Sequence, residues 1–284
     1  MRWLITGGRG MFGTDLTSLL QARGEEVKAV GSAECDVRSL DAVRAAMRDV
    51  DVVVNSAAWT AVDDAETHEA EAFSVNATGA RNVALVGRET GTRMVHISTD
   101  YVFDGNATTP YPPSHLQAPR SAYGRTKAAG EWAIQAVNPE ALIVRTAWLY
   151  GEHGPNFVKT MLRLADERDK LNVVDDQVGQ PTWTQDLAEY VVELVSGDSP
   201  GGYYHGTSSG RTSWCGFAKE IFCLAGLDPA RIQPCTTADF PRPAPRPSFS
   251  VLQDGQSAVS IGPWPERLGV FLQAQPVQQG ETAL

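Results

Sequence analysis

The chain has 284 residues, a formal net charge of −10 and a pI of about 5.0, with 42% hydrophobic and 20% charged residues. This composition is typical of a globular protein, and the lack of a basic run in the sequence argues against nucleic-acid binding through phosphate neutralisation. Because no apolar run approaches the roughly 20 residues of a membrane span and no secretory signal precedes the first predicted strand, we expect a cytoplasmic protein without a membrane or nucleic-acid partner.

The first predicted element is a short apolar strand at residues 1–6, followed by a glycine-rich turn and helical periodicity at 14–20. Gly7, Gly10 and Gly13 give this turn the spacing G-x-x-G-x-x-G. Glycines permit a tight turn and let backbone N–H groups approach a pyrophosphate at the N-terminus of the following helix. A strand before the turn and a helix after it therefore indicate a dinucleotide-binding site rather than a flexible loop.

Strands and helices alternate through the first half of the chain. Apolar strand-like runs recur at 26–30, 51–55, 93–98 and 141–145, and helical spacing occurs at 40–48, 77–89 and 122–137. Alternating units of this kind indicate a parallel sheet, and near-continuous apolar strands indicate that both of its faces are covered. We therefore predict an α/β fold with a Rossmann-type, doubly wound parallel sheet at residues 1–150.

Beyond residue 150 the pattern is less regular. It predicts helices and short strands, namely helices at 157–167, 184–195 and 212–225 and strands at 171–174 and 202–205. The proline-rich residues 242–247 cannot form a regular helix or an inner strand, and we expect a rigid extended loop there. We predict a smaller α/β substrate-binding part at 151–272, some segments of which return to the first sheet, and a frayed tail at 273–284.

Two hydroxyl side chains, Ser98 and Thr99, come at the end of the fourth predicted strand. Ligands of parallel sheets bind outside the carboxyl ends of the strands, so a hydroxyl there can donate a hydrogen bond to a carbonyl group. Neighbouring residues of a strand point to opposite sides of the sheet. We therefore expect only one of the two to face a ligand, and we choose Thr99.

Tyr123 and Lys127 lie four residues apart in a predicted helix, on one face and one turn from each other. A free phenol has a pKa of about 10. An ammonium group beside it favours the phenolate and lowers that pKa, so Tyr123 is a candidate proton donor at an alcohol or carbonyl oxygen. The spacing alone is also common on ordinary solvated helices, and the glycine turn and the strand-end hydroxyls are what favour the catalytic interpretation.

These features resemble the extended branch of the short-chain dehydrogenase/reductase superfamily, and more closely the dTDP-4-dehydrorhamnose reductase family. The resemblance covers about residues 1 to 272. Its motifs, in chain order, are NSAAWTAVD at 55–63, HISTDYVFDG at 96–105, YGRTK at 123–127, VRTAWLY at 144–150, VDDQVGQPT at 174–182 and FPRPAPR at 240–246.

The resemblance implies a reductase that uses NADPH, with NADH as an alternative, on the C4 carbonyl of a dTDP-4-keto-6-deoxy-L-hexose. It implies three catalytic residues: Thr99, Tyr123 and Lys127. The implied cofactor-binding residues are Gly7, Arg9, Gly10, Met11, Phe12, Gly13, Asp36, Val37, Ala57, Ala58, Trp59, Tyr123 and Lys127. The implied substrate-binding residues are Val62, Thr99, Asp100, Tyr101, Trp148, Arg242 and Arg246. The product would serve deoxysugar biosynthesis for a cell-surface glycan or for a secondary metabolite such as an antibiotic.

The preference for NADPH follows from the end of the second predicted strand. NAD-specific enzymes place a carboxylate there to hold the ribose 2′-OH. Here that place reads Gly31-Ser32, with no carboxylate until Glu34, and Arg9 in the glycine turn can meet a 2′-phosphate with its planar group of donors.

Several departures leave the sugar and the oligomeric state open, the latter as monomer or homodimer. Trp59 stands where the family often has Tyr, and Pro112 and His115 stand where relatives commonly have acidic residues. We expect no metal site, since the four cysteines form no C-x-x-C pair and have no accompanying ligand cluster.

Two alternative functions stay open at this point. One is a nucleotide-sugar epimerase or dehydratase on the same fold, although the Asp-Glu pair expected of a dehydratase after Thr99 is missing. The other is a regulatory subunit resembling the β subunit of methionine adenosyltransferase, which would not require Tyr123 and Lys127.

Overall fold

A computed structural model describes residues 1–253 and 260–274 of the chain. Its centre is a six-stranded sheet in the order β10-β5-β4-β3-β1-β2, in which every neighbouring pair is parallel. These strands are β1 (Arg2–Thr6), β2 (Glu26–Val30), β3 (Val52–Asn55), β4 (Arg93–Thr99), β5 (Leu142–Thr146) and β10 (Gly202–His205).

Helices cover both faces of this sheet. On one face lie α1 (Met11–Ala22) and α7 (Thr184–Ser196), and on the other lie α2 (Leu40–Ala46), α4 (Ala80–Thr90) and α5 (Ala122–Val137). The further α-helices of the described residues are α3 (Glu69–Phe73), α6 (Phe157–Glu167), α8 (Trp214–Leu224) and α9 (Trp264–Ala274). Alternate residues of β3 pack into two different cores. Val52 and Val54 join the cluster under α1 and α7, while Val53 joins the cluster under α2 and α4. The doubly wound parallel sheet predicted from the sequence is therefore confirmed.

The second half of the chain contributes short strand pairs and a separate core. The strands are β6 (Leu149–Tyr150), β7 (Leu171–Val174), β8 (Val178–Gly179), β9 (Thr182–Trp183), β11 (Ser208–Ser209), β12 (Thr212–Ser213), β13 (Ile232–Cys235) and β14 (Ile261–Pro263). They pair as β6-β9, β7-β13, β8-β12 and β11-β14. Residues of α6, α8 and α9 form a third hydrophobic cluster beside them. Two later segments lie against the first half, since β10 pairs with β5 and α7 packs on α1.

Two predicted helices start later than their sequence patterns indicated. The helix expected at 77–89 begins at Ala80, after a π-helical turn at Ser74–Gly79, and the helix expected at 212–225 begins at Trp214, after β12. Of the predicted tail, residues 273 and 274 belong to α9, and residues 275–284 lie outside the described residues. No helix among the described residues is long and apolar enough to cross a membrane.

A buried ion pair joins helix α5 to strand β5 next to the strand ends. Glu131 and Arg145 are both fully buried, and the Arg145 Nη2 to Glu131 Oε2 distance is 2.7 Å. The Arg145 guanidinium also lies over the rings of Phe103 and Tyr203, with its central carbon 4.8 and 4.3 Å from their centroids. Two buried charges are tolerated only when each is paired and hydrogen-bonded, so this pair fixes α5 relative to the sheet.

We predict that Glu131→Gln destabilises the fold by about 3–5 kcal/mol, because it leaves the buried guanidinium without a compensating charge. The matched control is Glu167→Gln, which removes an exposed pair with Arg163 on α6 and should cost about 0.5 kcal/mol or less. Urea unfolding of the three proteins measures both free energies of unfolding. Equal losses for the two variants would contradict the role given to the buried pair.

Candidate active site

The predicted site residues converge at the carboxyl ends of the central strands. The glycine turn follows β1, Ala57 and Ala58 follow β3, and Thr99 ends β4. Helix α5 begins at Ala122 and brings Tyr123 and Lys127 to the same edge of the sheet, where α5 contacts β4. This edge is where open parallel sheets bind their ligands.

The glycine turn packs so tightly against neighbouring backbone that it has no room for side chains at Gly7 and Gly13. Gly7 has φ +68°, and a Cβ added to it would lie 2.6 Å from Ala57 N. A Cβ on Gly13 would lie 2.6 Å from the Gly7 carbonyl oxygen. Gly10, the N-cap of α1, has no side chain to bond the first N–H groups of the helix, those of Met11 and Phe12. The turn thus suits a pyrophosphate at the start of α1.

The segment after β3 is held against α5 by one buried side chain. Asn76 accepts a hydrogen bond from Trp59 N at 2.8 Å and donates to Trp59 O at 3.1 Å and to Thr126 Oγ1 at 3.0 Å. Ala57 and Ala58 lie half-buried just before Trp59. Asn76 therefore sets the position of the segment from Ala57 to Trp59 relative to α5.

Charged side chains surround the end of β2. Arg9, which is largely exposed, forms an ion pair with Glu34, and Glu34 also accepts a hydrogen bond from Gly31 N at 3.0 Å. Asp36 is hydrogen-bonded to the backbone and guanidinium of Arg38, which lowers the Asp36 pKa. Arg9 is thus positioned beside the end of β2, but Glu34 already compensates its charge.

Ser98 and Thr99 diverge as the alternation of strand residues predicts. Ser98 donates to Glu131 on the α5 side of the sheet. Thr99 donates to Asp100 Oδ1 at 3.0 Å and accepts from Tyr101 N at 3.2 Å. The Thr99 hydroxyl also lies close enough to the Tyr123 hydroxyl to lower the pKa of the tyrosine, so the threonine, and not the serine, lies beside the tyrosine.

The effect of the surroundings on Tyr123 differs from the one predicted from the sequence. Burial raises the Tyr123 pKa to about 12, the nearby Thr99 hydroxyl opposes the shift, and the negative charge of Asp100 raises the pKa further. The predicted lowering by Lys127 is wrong for the protein without ligands, because desolvation dominates. Tyr123 therefore remains protonated at neutral pH, which is the form that a proton donor requires.

Lys127 is 2% exposed, and burial lowers its pKa to about 8, with the charge of Glu131 opposing the shift. Its Nζ atom donates to Ile97 O at 2.7 Å and lies 3.3 Å from His96 Nε2. The Ile97 carbonyl accepts from one N–H group, and a second N–H position faces His96 Nε2, whose role as donor or acceptor depends on the imidazole tautomer. The third has no protein partner among the described residues and is available to a ligand.

Tyr101 and the proline-rich loop form the walls of a small cavity next to Tyr123. Tyr101 packs edge-on against the Tyr123 ring at 5.6 Å, and Arg120 and Arg246 also line the cavity. Arg246 is paired with Asp63 at 2.8 Å, next to the half-buried Val62. Its charge is therefore partly compensated.

Two other predicted substrate residues, Arg242 and Trp148, lie in different environments. Arg242 is exposed, and its charge contributes to lowering the pKa of Asp63. Trp148 has φ +46° and stacks on Trp214 with ring centroids 3.6 Å apart. Gly179 leaves room for the Trp148 ring, since an added Cβ would lie 2.5 Å from Trp148 Cε2. The stack thus fixes an indole in a backbone conformation that few side chains adopt.

Sequence reasoning missed several polar residues of this edge. Thr146 is paired in register with Thr99, is 5% exposed, and its hydroxyl has no hydrogen-bond partner in the described part of the chain. His96, which contacts Lys127, and Asn55, which contacts His96, stood out only as members of longer motifs. The available signal was their position: a polar residue near the carboxyl end of an otherwise apolar buried strand.

The chain is similar to proteins of known sequence and structure over nearly its whole length. A model of the family described as RmlD substrate binding domain matches residues 1–275. A dTDP-4-dehydrorhamnose reductase of Streptomyces griseus is 48% identical over 262 residues, which are 90% of this chain and 86% of that protein.

Two further similarities bear on substrate and cofactor. A dTDP-4-keto-6-deoxy-D-glucose reductase of Streptomyces niveus is 46% identical over 254 residues, 88% of each chain. A crystal structure of a dTDP-4-dehydrorhamnose reductase from Bacillus anthracis in complex with NADP matches with a TM-score of 0.92 and 35% identity, covering 96% of this chain and 99% of that chain.

Asp100 gives the site a measurable effect of pH on stability. It is 3% exposed, and burial raises its pKa to about 6, although the hydrogen bond from Thr99 opposes the shift. A carboxyl with a raised folded-state pKa binds more protons in the folded state, so stability falls as pH rises from about 4 to 6. We predict that Asp100→Asn removes this fall. The free energy of unfolding of the variant relative to the wild type should then rise by roughly 2–3 kcal/mol across that range.

The matched control is Asp104→Asn, because Tyr111 lowers the pKa of Asp104. Loss of that carboxylate should make the free energy of unfolding of the variant fall relative to that of the wild type as pH rises, which is a change of opposite sign. Urea unfolding at a series of pH values without ligands measures both differences. A constant difference between the wild type and Asp100→Asn would contradict the assignment.

Proposed function

This chain belongs to the family of the RmlD substrate binding domain, and from that premise we propose that it is an oxidoreductase that uses NADPH to reduce the C4 carbonyl of a dTDP-4-keto-6-deoxy-L-hexose to the 4-hydroxy sugar. The observation that carries this proposal is the meeting of Thr99, Tyr123 and Lys127 at the strand ends beside the glycine turn. The enzymatic names of its relatives support the same reaction.

In the proposed reaction the protein supplies a proton and stabilises the phenolate that remains. The bound nicotinamide supplies the hydride for the carbonyl carbon. Tyr123, protonated at neutral pH, donates its phenolic proton to the carbonyl oxygen, and Thr99 donates a hydrogen bond to the same oxygen. The ammonium of Lys127, one helical turn away, then stabilises the phenolate that Tyr123 becomes.

We assign cofactor binding to the first half of the chain. The backbone from Gly7 to Gly13 receives the pyrophosphate, the end of β2 receives the adenosine, and Ala57 to Trp59 lie along its path. Arg9 would exchange Glu34 for a 2′-phosphate, so NADPH is the preferred cofactor and NADH the alternative. The NADP bound to the relative from Bacillus anthracis supports this choice.

We assign the dTDP-sugar to the space between these residues and the second half of the chain. Asp100, Tyr101, Val62 and Trp148 would contact the sugar, and Arg242 and Arg246 the diphosphate, which a guanidinium recognises with two parallel hydrogen bonds. We place the reaction in the cytoplasm, where the four free cysteines stay reduced. Epimerase and regulatory functions have less support, since the relatives from Streptomyces griseus and Streptomyces niveus, 48% and 46% identical, are both named reductases.

The test is loss of reduced-nicotinamide absorbance with NADPH and dTDP-4-keto-6-deoxyglucose, with and without a 3,5-epimerase. We expect oxidation only when the epimerase supplies the L-sugar. Oxidation without it would identify a D-sugar reductase, the activity that the relative from Streptomyces niveus is named for. Absence of oxidation in every mixture, with NADPH binding intact, would refute the proposal.

Within this assay, Tyr123→Phe should lower turnover by about 10²–10⁴-fold, because the proton donor is lost, while NADPH affinity is largely kept. The matched control is Tyr204→Phe on β10. It removes a hydroxyl that donates to Pro200 O and should leave turnover unchanged. Unchanged turnover of Tyr123→Phe would exclude Tyr123 as the donor.

Arg9→Ala should weaken binding of NADPH more than binding of NADH, because only NADPH has a 2′-phosphate for the guanidinium. Fluorescence titration with each cofactor measures the two Kd values. Arg163→Ala, on the exposed face of α6, controls for the loss of a surface charge. Equal weakening of both cofactors would refute the 2′-phosphate contact.

A further inference from the structure

A chain of buried polar side chains runs behind Lys127, across three strands of the sheet. Thr6 at the end of β1 and Asn55 at the end of β3 are hydrogen-bonded at 2.7 Å. The Asn55 amide lies 3.0 Å from His96 Nδ1, and His96 Nε2 lies 3.3 Å from Lys127 Nζ. All four side chains are between 0% and 2% exposed, so each hydrogen bond must be satisfied within the protein.

His96 is neutral in this position. Burial lowers its pKa well below the ordinary value, and the charge of Lys127 lowers it further. A neutral imidazole has one nitrogen that donates and one that accepts. The Asn55 amide likewise has one accepting and one donating end. The hydrogen bonds between these side chains can therefore all point in either of two directions.

The two directions suit two protonation states of the lysine. With the Asn55 oxygen toward Thr6, as in the structure, Asn55 donates to His96 Nδ1, and the imidazole proton on Nε2 faces Lys127, which suits a neutral amine. With the amide turned over, His96 Nδ1 donates to Asn55, and Nε2 accepts from the ammonium. A charge-assisted hydrogen bond is the stronger of the two.

We propose that His96 is a positioning residue for Lys127, which accepts a hydrogen bond from its ammonium form and donates one to its amine form while the Asn55 amide turns over between the two states. The inference rests on the role proposed for Lys127 in the reduction. Because the ammonium form has the stronger hydrogen bond, this series of polar side chains favours the charged form of Lys127, which burial disfavours. Its third N–H group then stays directed toward the ligand.

The other groups around Lys127 leave this role to His96. Glu131, one turn further along α5, raises the Lys127 pKa, but it is bonded to Arg145, Ser98 and Gln117. Tyr123, one turn earlier, is neutral. From β3 the chain presents Asn55, which carries no charge, and from β4 the remaining contact is the carbonyl of Ile97.

Two substitutions separate the two ring nitrogens of His96. Gln reaches about as far as Nε2 and retains an acceptor for Lys127, whereas Asn reaches only as far as Nδ1 and retains a partner for Asn55. Both remove the ring, so both disturb the packing to a similar extent. The difference between them therefore reports the contact with Lys127.

The readout is titration of Lys127 by NMR in cofactor-free protein labelled with ¹³C at lysine Cε, with Lys127→Met for assignment among five lysines. We expect His96→Asn to lower the Lys127 pKa by about one unit and His96→Gln to keep it close to the wild-type value. The alkaline fall of kcat/KM should move in the same order. Equal pKa values in all three proteins, or equal shifts in both variants, would overturn the proposal.

A measurement on the unsubstituted protein keeps the test independent of folding. In ¹⁵N-histidine-labelled wild type, His96 should carry its proton on Nδ1 while Lys127 is charged and on Nε2 once Lys127 is neutral. One tautomer throughout the lysine titration would overturn the proposal. Because neither NMR experiment requires substrate, a failure to oxidise NADPH would refute the proposed function without affecting this result.

Discussion

Lys127 places an ammonium group where only 2% of its residue surface reaches solvent, and a buried charge is stable only if its N–H groups find acceptors. The Ile97 carbonyl meets one of these requirements, and the His96 ring meets a second in the tautomer whose Nε2 accepts. Both acceptors belong to β4, the strand that ends in Thr99. Satisfying the lysine therefore fixes helix α5 against β4, and with it the distance between Tyr123 and Thr99.

A second polar connection lies one turn further along α5. The buried pair of Glu131 and Arg145 links the helix to β5 and also receives the Ser98 hydroxyl. Two successive turns of α5 are thus attached to the sheet by polar contacts, and Ile134 further along the helix packs into the apolar cluster under α2 and α4. In this arrangement the neutral phenol of Tyr123 is held between Thr99 and Tyr101. Rigid placement of the donor matters because proton transfer requires hydrogen-bond distance to the reacting oxygen.

Local patterns in the sequence were enough to predict the parallel sheet, the glycine turn and the Tyr123–Lys127 face, since each depends on residues close together in the chain. The contacts behind Lys127 depend on the register of β3 and β4. The contact of Asp63 with Arg246 depends on a loop about 180 residues away. The raised Tyr123 pKa was predicted with the wrong sign, because the sequence shows the neighbouring lysine but not the extent of burial. The π-helical turn that carries Asn76 also had no signal in the periodicity.

The proposed function requires that a hydride reach C4 of a dTDP-4-keto-6-deoxy-L-hexose bound at the site of Thr99, Tyr123 and Lys127. NADPH doubly deuterated at C4 of the nicotinamide tests it most directly, with the L-sugar generated in place by a 3,5-epimerase and the product analysed by NMR. The account predicts one deuterium on carbon 4 of the sugar for each NADPH consumed. Deuterium at another carbon, or consumption of NADPH with no deuterium in the sugar, would contradict it.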